Sequence, residues 1–149
     1  MIHYIRTDSS NTDFQNLVRD LDAFLRILDG EEHSFYAQFN KTDLLKHAIL
    51  AYSGEEPVGC GAVKEYEPDI MEVKRMYVAS AYRGKGIASA VLKELESWAK
   101  ELGYSKCILE TGKKQPEAIG LYKKSGYQLI SNYGQYENVD NSVCFEKWL

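Results

Sequence analysis

Residues 71–102 read MEVKRMYVASAYRGKGIASAVLKELESWAKEL. The stretch is a strand, a basic glycine loop and a long amphipathic helix in succession. In the helix, Ile87, Val91, Leu95, Ala99 and Leu102 recur every three or four residues, with Leu92 and Trp98 beside the stripe. That is the period of one buried helix face, and Gly103 ends it. The loop Arg83-Gly84-Lys85-Gly86-Ile87-Ala88 leads straight into the helix. Glycines let a backbone approach a ligand closely, and the first N–H groups of a helix have no partner inside it. With the helix dipole and two cations, the loop is expected to hold an anion, phosphate above all.

The strand before the loop carries a second signal. Met71 and Val73 share one face by the two-residue period of a strand. Met76 and Val78 share a face as well, but with the opposite parity, and Lys74 and Arg75 stand between the pairs. One extra residue there puts all four apolar side chains on one side. A β-bulge does this, and bulges lie beside active sites. The other reading is a strand buried on both faces, where parity carries no information.

Upstream, Met1–Thr7 reads as a first strand. Phe14, Leu17, Val18, Leu21, Phe24, Leu25 and Leu28 mark a helix that ends at Gly30, with Thr12 and Gln15 spaced as a capping box. Residues 31–40 (EEHSFYAQFN) form a polar, aromatic loop, with a short helix expected over Thr42–Leu45. Strands follow at Lys46–Tyr52, Pro57–Glu65 and Ile70–Val78, joined by short turns as an antiparallel meander. Gly59 and Gly61, inside the second of these, point to a bend or a close approach. Downstream, Lys106–Thr111 is a strand reached through the long helix, so it lies parallel to Ile70–Val78. Pro116 opens a last helix with Ala118, Ile119, Leu121 and Tyr122 on its apolar side and Gly126 as its stop. Tyr127–Ile130 and Ser142–Trp148 complete the strands. Glu96 and Lys100 are spaced as an i,i+4 ion pair.

At 149 residues the chain is one domain, 1–149, with a single core. Its net charge of −4 argues against nucleic acid as a partner. It contains no apolar run of about 18 residues, which argues against a membrane span, and no signal-peptide pattern at its N-terminus. Cys60, Cys107 and Cys144 are widely spaced among apolar residues, as buried thiols of a cytoplasmic protein are. His3, His33 and His47 are scattered, so no metal is expected.

Several phosphate-binding loops can be compared with residues 83–88. A P-loop needs GxxxxGK[ST], which is absent. A dinucleotide fingerprint needs GxGxxG after a buried strand. Gly84 and Gly86 fit, Ser89 replaces the third glycine, and Glu110 can stand for the ribose-binding acid. The preceding strand, however, holds Glu72, Lys74 and Arg75, whereas the central strand of a doubly wound sheet is apolar. The residues resemble instead the GNAT superfamily of N-acetyltransferases. Arg83, Gly86 and Ala88 supply its [Q/R]-x-x-G-x-[G/A] motif. Residues 115–127, QPEAIGLYKKSGY, are similar to its N-x-x-A-x-x-x-Y-x-x-x-G-[F/Y] helix, with Gln115 in place of the asparagine.

The resemblance implies an α/β (α+β) fold. Its sheet is mixed and mainly antiparallel, with six to seven strands, a splay between strands four and five, and about four flanking helices. It implies acetyl-CoA as cofactor, with its pyrophosphate on Arg83, Gly84, Lys85, Gly86, Ile87 and Ala88. The pantetheine arm then lies in the splay against Met76, Tyr77 and Val78, with Gln115 and Ala118 also at the cofactor. Lys85, Lys113, Lys114, Lys123 and Lys124 either add positive potential or are solvated surface lysines. By the same resemblance Glu72 is the general base, Tyr122 the acid for the departing thiolate, and the Met76 N–H the oxyanion donor; the alternatives are a surface or salt-bridged glutamate at 72 and a core aromatic, spaced with Ala118, at 122.

The acids and tyrosines of the loops expected to flank the cleft suit a small cationic amine as acceptor, such as an amino acid or a polyamine. Glu31, Tyr36, Tyr133 and Tyr136 are the candidate substrate residues, with Glu65, Glu67 and Asp69 adding acid nearby. The alternative is that these are solvated loops and turns. Two other functions stay open: a non-catalytic acyl-CoA-binding regulatory domain and a nucleotide-binding module. A homodimer also stays open.

Overall fold

The computed structural model describes residues 1–30 and 44–149. Seven strands form one sheet: β1 (Ile2–Thr7), β2 (His47–Ser53), β3 (Glu56–Glu67), β4 (Ile70–Val78), β5 (Lys106–Gly112), β6 (Gln128–Ile130) and β7 (Ser142–Trp148). Three α-helices accompany them among the described residues: α1 (Thr12–Asp29), α2 (Ile87–Glu101) and α3 (Pro116–Lys124). The strand order is β1-β2-β3-β4-β5-β7-β6. Neighbours are antiparallel except β4 and β5, which are parallel and pair only from Ile70↔Lys106 to Glu72↔Ile108. Beyond Glu72 the two strands part, which is the expected splay.

The parity break is a bulge. Cys60 pairs with Tyr77 and Ala62 with Lys74, so Arg75 and Met76 together stand opposite Gly61. Arg75 takes the left-handed backbone conformation, φ 59°. As a result Met71, Val73 and Val78 share one core with Val91, Leu92 and Leu95 of α2, and Met76 packs against it. Instead of the single core expected, the opposite face of the sheet carries a second one, in which Phe14, Leu17 and Val18 of α1 cover Leu50, Cys60 and Ala62, because the sheet separates the apolar stripes of α1 and α2. Gly61 is required by contact: a Cβ there lies 2.5 Å from Met76 Sδ and 3.0 Å from side-chain atoms of Val91 and Leu95.

Several expectations change. The cap of α1 is Asn11, one residue before Thr12, and its Oδ1 accepts from the N–H groups of Asp13 (2.9 Å) and Phe14 (3.2 Å). An asparagine is the stronger cap. The Gln15 side chain bonds the Ser9 carbonyl instead of closing a capping box. Glu96 pairs with Lys147 on β7 at 2.9 Å, not with Lys100, because the Glu96 side chain is turned toward the sheet. Of the short helix expected over Thr42–Leu45, Thr42 and Asp43 lie outside the described residues. Leu44 and Leu45 are not helical, and the Leu45 N–H bonds Ser9 Oγ. Strand β2 starts one residue later than expected, and β3 runs longer. The three cysteines are buried and free, as expected. Among the described residues no helix is long and apolar enough to cross a membrane.

Candidate functional site

The N-terminus of α2 is built open. Its cap is Gly86, at φ 80°, and no side chain closes it. The first bond of the helix runs from the Ala90 N–H to the Gly86 carbonyl, 3.1 Å, and the first turn holds no acid. The N–H groups of Ile87, Ala88 and Ser89 therefore point ahead without an intrahelical acceptor. Gly84 and Gly86 both need a positive φ, and a Cβ at either meets nothing within 4 Å. The glycines thus serve backbone conformation rather than close packing, and the uncapped N–H groups suit an anion.

Arg83 behaves differently from a phosphate-reaching side chain. Its Nε donates to the Val78 carbonyl at 2.9 Å. Its guanidinium lies over the rings of Phe24 and Tyr77, at 5.3 and 5.7 Å. It ties the loop to the end of β4 and to α1. Lys85 lies over the Tyr82 ring, 5.4 Å away. Lys113, Lys114, Lys123 and Lys124 are exposed.

A cleft opens where β4 and β5 part. Glu72, Lys74, Arg75 and Met76 line it from β4 and Glu110 and Thr111 from β5. Gln115 and Tyr122 reach it from the α3 side, and Leu21, Leu25 and Asp29 from α1. Glu72 is 8% exposed. Its Oε2 accepts from the Tyr133 hydroxyl at 2.5 Å, and its Oε1 lies 3.7 Å from Lys74 Nζ. Burial, then the Glu72 charge, holds the Tyr133 hydroxyl well above the usual phenol range. Tyr136 is buried and lines the cleft, and its ring meets Tyr133 edge-on at 5.8 Å.

Tyr122 is buried, with Tyr127 at 5.9 Å and Phe145 at 6.1 Å around its ring. Burial raises its hydroxyl above the usual range, and the Glu110 charge adds to this. Ala118 packs at the margin of the α2-side core.

Glu110 is the functional candidate that the sequence analysis left in another role. It lies two residues past the last β4–β5 pair and accepts from Ser142 Oγ at 2.7 Å. Burial pushes its carboxyl up to about 7. The charges of Glu72 and Asp29 push the same way, while the Ser142 bond and Lys74 oppose them. A carboxylate tuned to neutral pH in a cleft is suited to proton transfer. Glu110, like Glu72, is a carboxylate inside a strand, a placement uncommon unless the group is exposed or used.

Not every predicted acid comes to the cleft. Glu65 accepts from Tyr104 at 2.5 Å, and Asp69 bonds Ser105. With Glu67, these residues sit at the β3–β4 turn, on the far end of β4 from the bulge. Glu31 and Tyr36 lie outside the described residues.

Comparison with known proteins supplies the assignment. The sequence profile of the acetyltransferase (GNAT) family matches residues 13–127. The chain belongs to the acetyltransferase (GNAT) family. It is 33% identical over 135 residues to an IAA acetyltransferase of Azospirillum brasilense, covering 88% of this chain and 87% of that protein. A putative acyl-CoA N-acyltransferase from Klebsiella pneumoniae superposes with a TM-score of 0.84 at 30% identity, covering 100% of this chain and 98% of that one. The fold is shared by a GNAT acetyltransferase from Elizabethkingia anophelis with acetyl-CoA bound: TM-score 0.72, 17% identity, 99% and 98% covered. Membership makes the protein an acetyltransferase with acetyl-CoA as its cosubstrate. The open α2 terminus and the parted strands fit that cosubstrate.

Proposed function

We propose that this GNAT enzyme moves the acetyl group of acetyl-CoA to the primary amine of a small molecule, by direct transfer with a general base. The observation that carries the proposal is the cleft itself. It lies at the gap between β4 and β5 and is walled by two carboxylates, the buried Glu72 and the half-buried Glu110. In this reading residues 83–88 offer backbone N–H groups to the pyrophosphate. The β4 edge freed by the splay, at Met76, Tyr77 and Val78, faces the pantetheine arm, and Gln115 and Ala118 flank it. The thioester supplies the acetyl group.

An ammonium cannot attack, so a carboxylate must first take its proton. Glu72 is one candidate base, held in place by Tyr133 and Lys74. The position and raised pKa of Glu110 favour a second reading, in which Glu110 is the base and Glu72 holds the ammonium. The Met76 N–H is the proposed donor to the developing oxyanion. Tyr122 is the proposed acid for the leaving thiolate, and Tyr133 and Tyr136 form the wall behind the amine.

The test follows free thiol from acetyl-CoA across a panel of amines, with Glu72→Gln, Glu110→Gln and Tyr122→Phe beside the native chain. Each substitution is expected to lower kcat by roughly 100-fold or more, the scale of one proton-transfer group. The carboxylate whose removal abolishes the rising limb of the pH–kcat/KM profile is the base. If acetyl-CoA binds by calorimetry but no amine releases thiol, transfer to a small primary amine is refuted.

A further inference from the structure

Two arginines hold α1 against the β4 segment that the cosubstrate is proposed to follow. Arg75, in the bulge, donates to the Asp22 carboxylate and to the Val18 carbonyl at 3.5 Å. Arg83, past the end of β4, lays its guanidinium over the Phe24 ring of α1 at 5.3 Å and over the Tyr77 ring at 5.7 Å. Its Nε donates to the Val78 carbonyl at 2.9 Å. Met76, Tyr77 and Val78 lie between the two clamps. Phe24 is 37% exposed and stands outside the cores on both faces of the sheet. Because Arg75 fixes α1 at Asp22, the Phe24 ring is a fixed post for the Arg83 guanidinium.

The loop between Arg83 and α2 has little stiffness of its own. Gly84 and Gly86 take positive φ, and a Cβ at either meets nothing within 4 Å. Glycine leaves a free loop many conformations to lose when it grips a ligand, and a loop already held loses fewer. The helix holds the C-terminal end of this loop, and the Arg83 side chain holds its N-terminal end. The spacing so held matters to a cosubstrate whose pyrophosphate and pantetheine arm are one covalent molecule. The N–H groups of Ile87, Ala88 and Ser89 suit the first, and the β4 edge at Met76, Tyr77 and Val78 faces the second.

We infer that Arg83 and Phe24 are positioning residues for acetyl-CoA: the Arg83 side chain, braced on Phe24 and bonded to the Val78 carbonyl, fixes the phosphate loop relative to the β4 edge and leaves the phosphates to the backbone N–H groups. This rests on the proposed seat of the cosubstrate on residues 76–88 and assigns the side chains behind it.

The test is calorimetry of CoA with the native chain, Arg83→Met, Arg83→Gln, Phe24→Leu, the Arg83→Met and Phe24→Leu double variant, and Ser89→Glu. All these positions are exposed, and melting temperatures report any loss of fold separately. Arg83→Met is expected to weaken CoA roughly tenfold, the scale of one hydrogen bond with a ring contact. Most of that ratio is expected to persist at molar salt, where charges act only within about 3 Å. Arg83→Gln carries no charge either, but its Nε2 stands where the arginine Nε does, so it is expected to bind more tightly than Arg83→Met. Phe24→Leu is expected to weaken CoA about twofold to fivefold in the native background and not at all beside Arg83→Met. An Arg83→Met ratio that collapses to one at molar salt overturns the inference, since the arginine then acts as a charge on phosphate. So does a glutamine no better than methionine, or a Phe24→Leu loss undiminished in the double variant. Ser89→Glu tests the seat itself, by placing a carboxylate in the first turn of α2. If Ser89→Glu weakens CoA and Arg83→Met does not, the seat stands and the brace fails. If neither weakens CoA, the seat on α2 fails and the brace with it.

Discussion

The two faces of β4 divide the work of the molecule. Met71 and Val73 point to the α2 side and disappear into its core. Glu72 and Lys74, their immediate neighbours, point to the α1 side and line the cleft. At Arg75 the bulge adds a residue, so Met76 returns to the α2 side while Arg75 reaches α1. Core and candidate site are thus one residue apart in sequence and a sheet's thickness apart in space. A single strand serves both because its side chains alternate, and the bulge resets that alternation where the strands must part.

The comparison is broken most severely on the polar face. Glu110→Gln is expected to lower kcat/KM by roughly 100- to 10,000-fold if Glu110 carries the proton, while the fold survives. Its effect on stability has a definite sign. Burial raises this carboxyl from 4.5 to about 7. Between those values the folded chain keeps a proton that the unfolded chain has released. Stability from this group is therefore full below pH 4.5 and declines as pH rises through 7. Glutamine, which stays neutral and still accepts from Ser142, flattens that decline. Thermal melts at pH 5 and pH 8 check it: the gap between the two melting temperatures should shrink in the variant.

Met71→Ala is the converse experiment. It removes a side chain that is 1% exposed and is expected to cost about 2–5 kcal/mol of stability. The kcat of the folded enzyme stays near native, because the change faces away from the cleft. Urea unfolding and active-site-normalised rates separate the two effects. A large fall in kcat from Met71→Ala would show that the faces are coupled.

Gly61→Ala tests the seam between them. The added methyl meets Met76 Sδ at 2.5 Å, and overpacking of this kind costs about 1–3 kcal/mol. The flexible Met76 side chain takes up part of the strain, so this is the smallest of the three expected effects. A rise in KM for acetyl-CoA alongside the lower melting temperature would show that displacement of Met76 reaches the splay.

How much of this was legible beforehand follows from the range of each interaction. The bulge was visible because it leaves a trace within eight residues, Met71 to Val78, as a change of parity. The loop at residues 83–88 was visible because glycine spacing and helix onset are local. The environment of Glu110 was not, since it depends on Ser142 across a strand 32 residues away. The Tyr133–Glu72 bond spans 61 residues, and Arg75 reaches Asp22 over 53. These pairings are set by strand order and by the seating of α1, which periodicity does not encode. The cap of α1 was misplaced for a different reason. Asn11 and Thr12 are both good caps, and the choice between them depends on where the chain leaves β1.

The short β4–β5 pairing has a thermodynamic consequence. Three residue pairs, Ile70↔Lys106 to Glu72↔Ile108, join a four-stranded half of the sheet to a three-stranded half. A ligand seated in the open remainder of that seam has its site only in the folded chain, so it shifts the unfolding equilibrium by mass action. At one hundred times its dissociation constant the gain is about 2.7 kcal/mol. With the cosubstrate seated in the seam as proposed, the enzyme's resistance to heat becomes a readout of how much cosubstrate surrounds it.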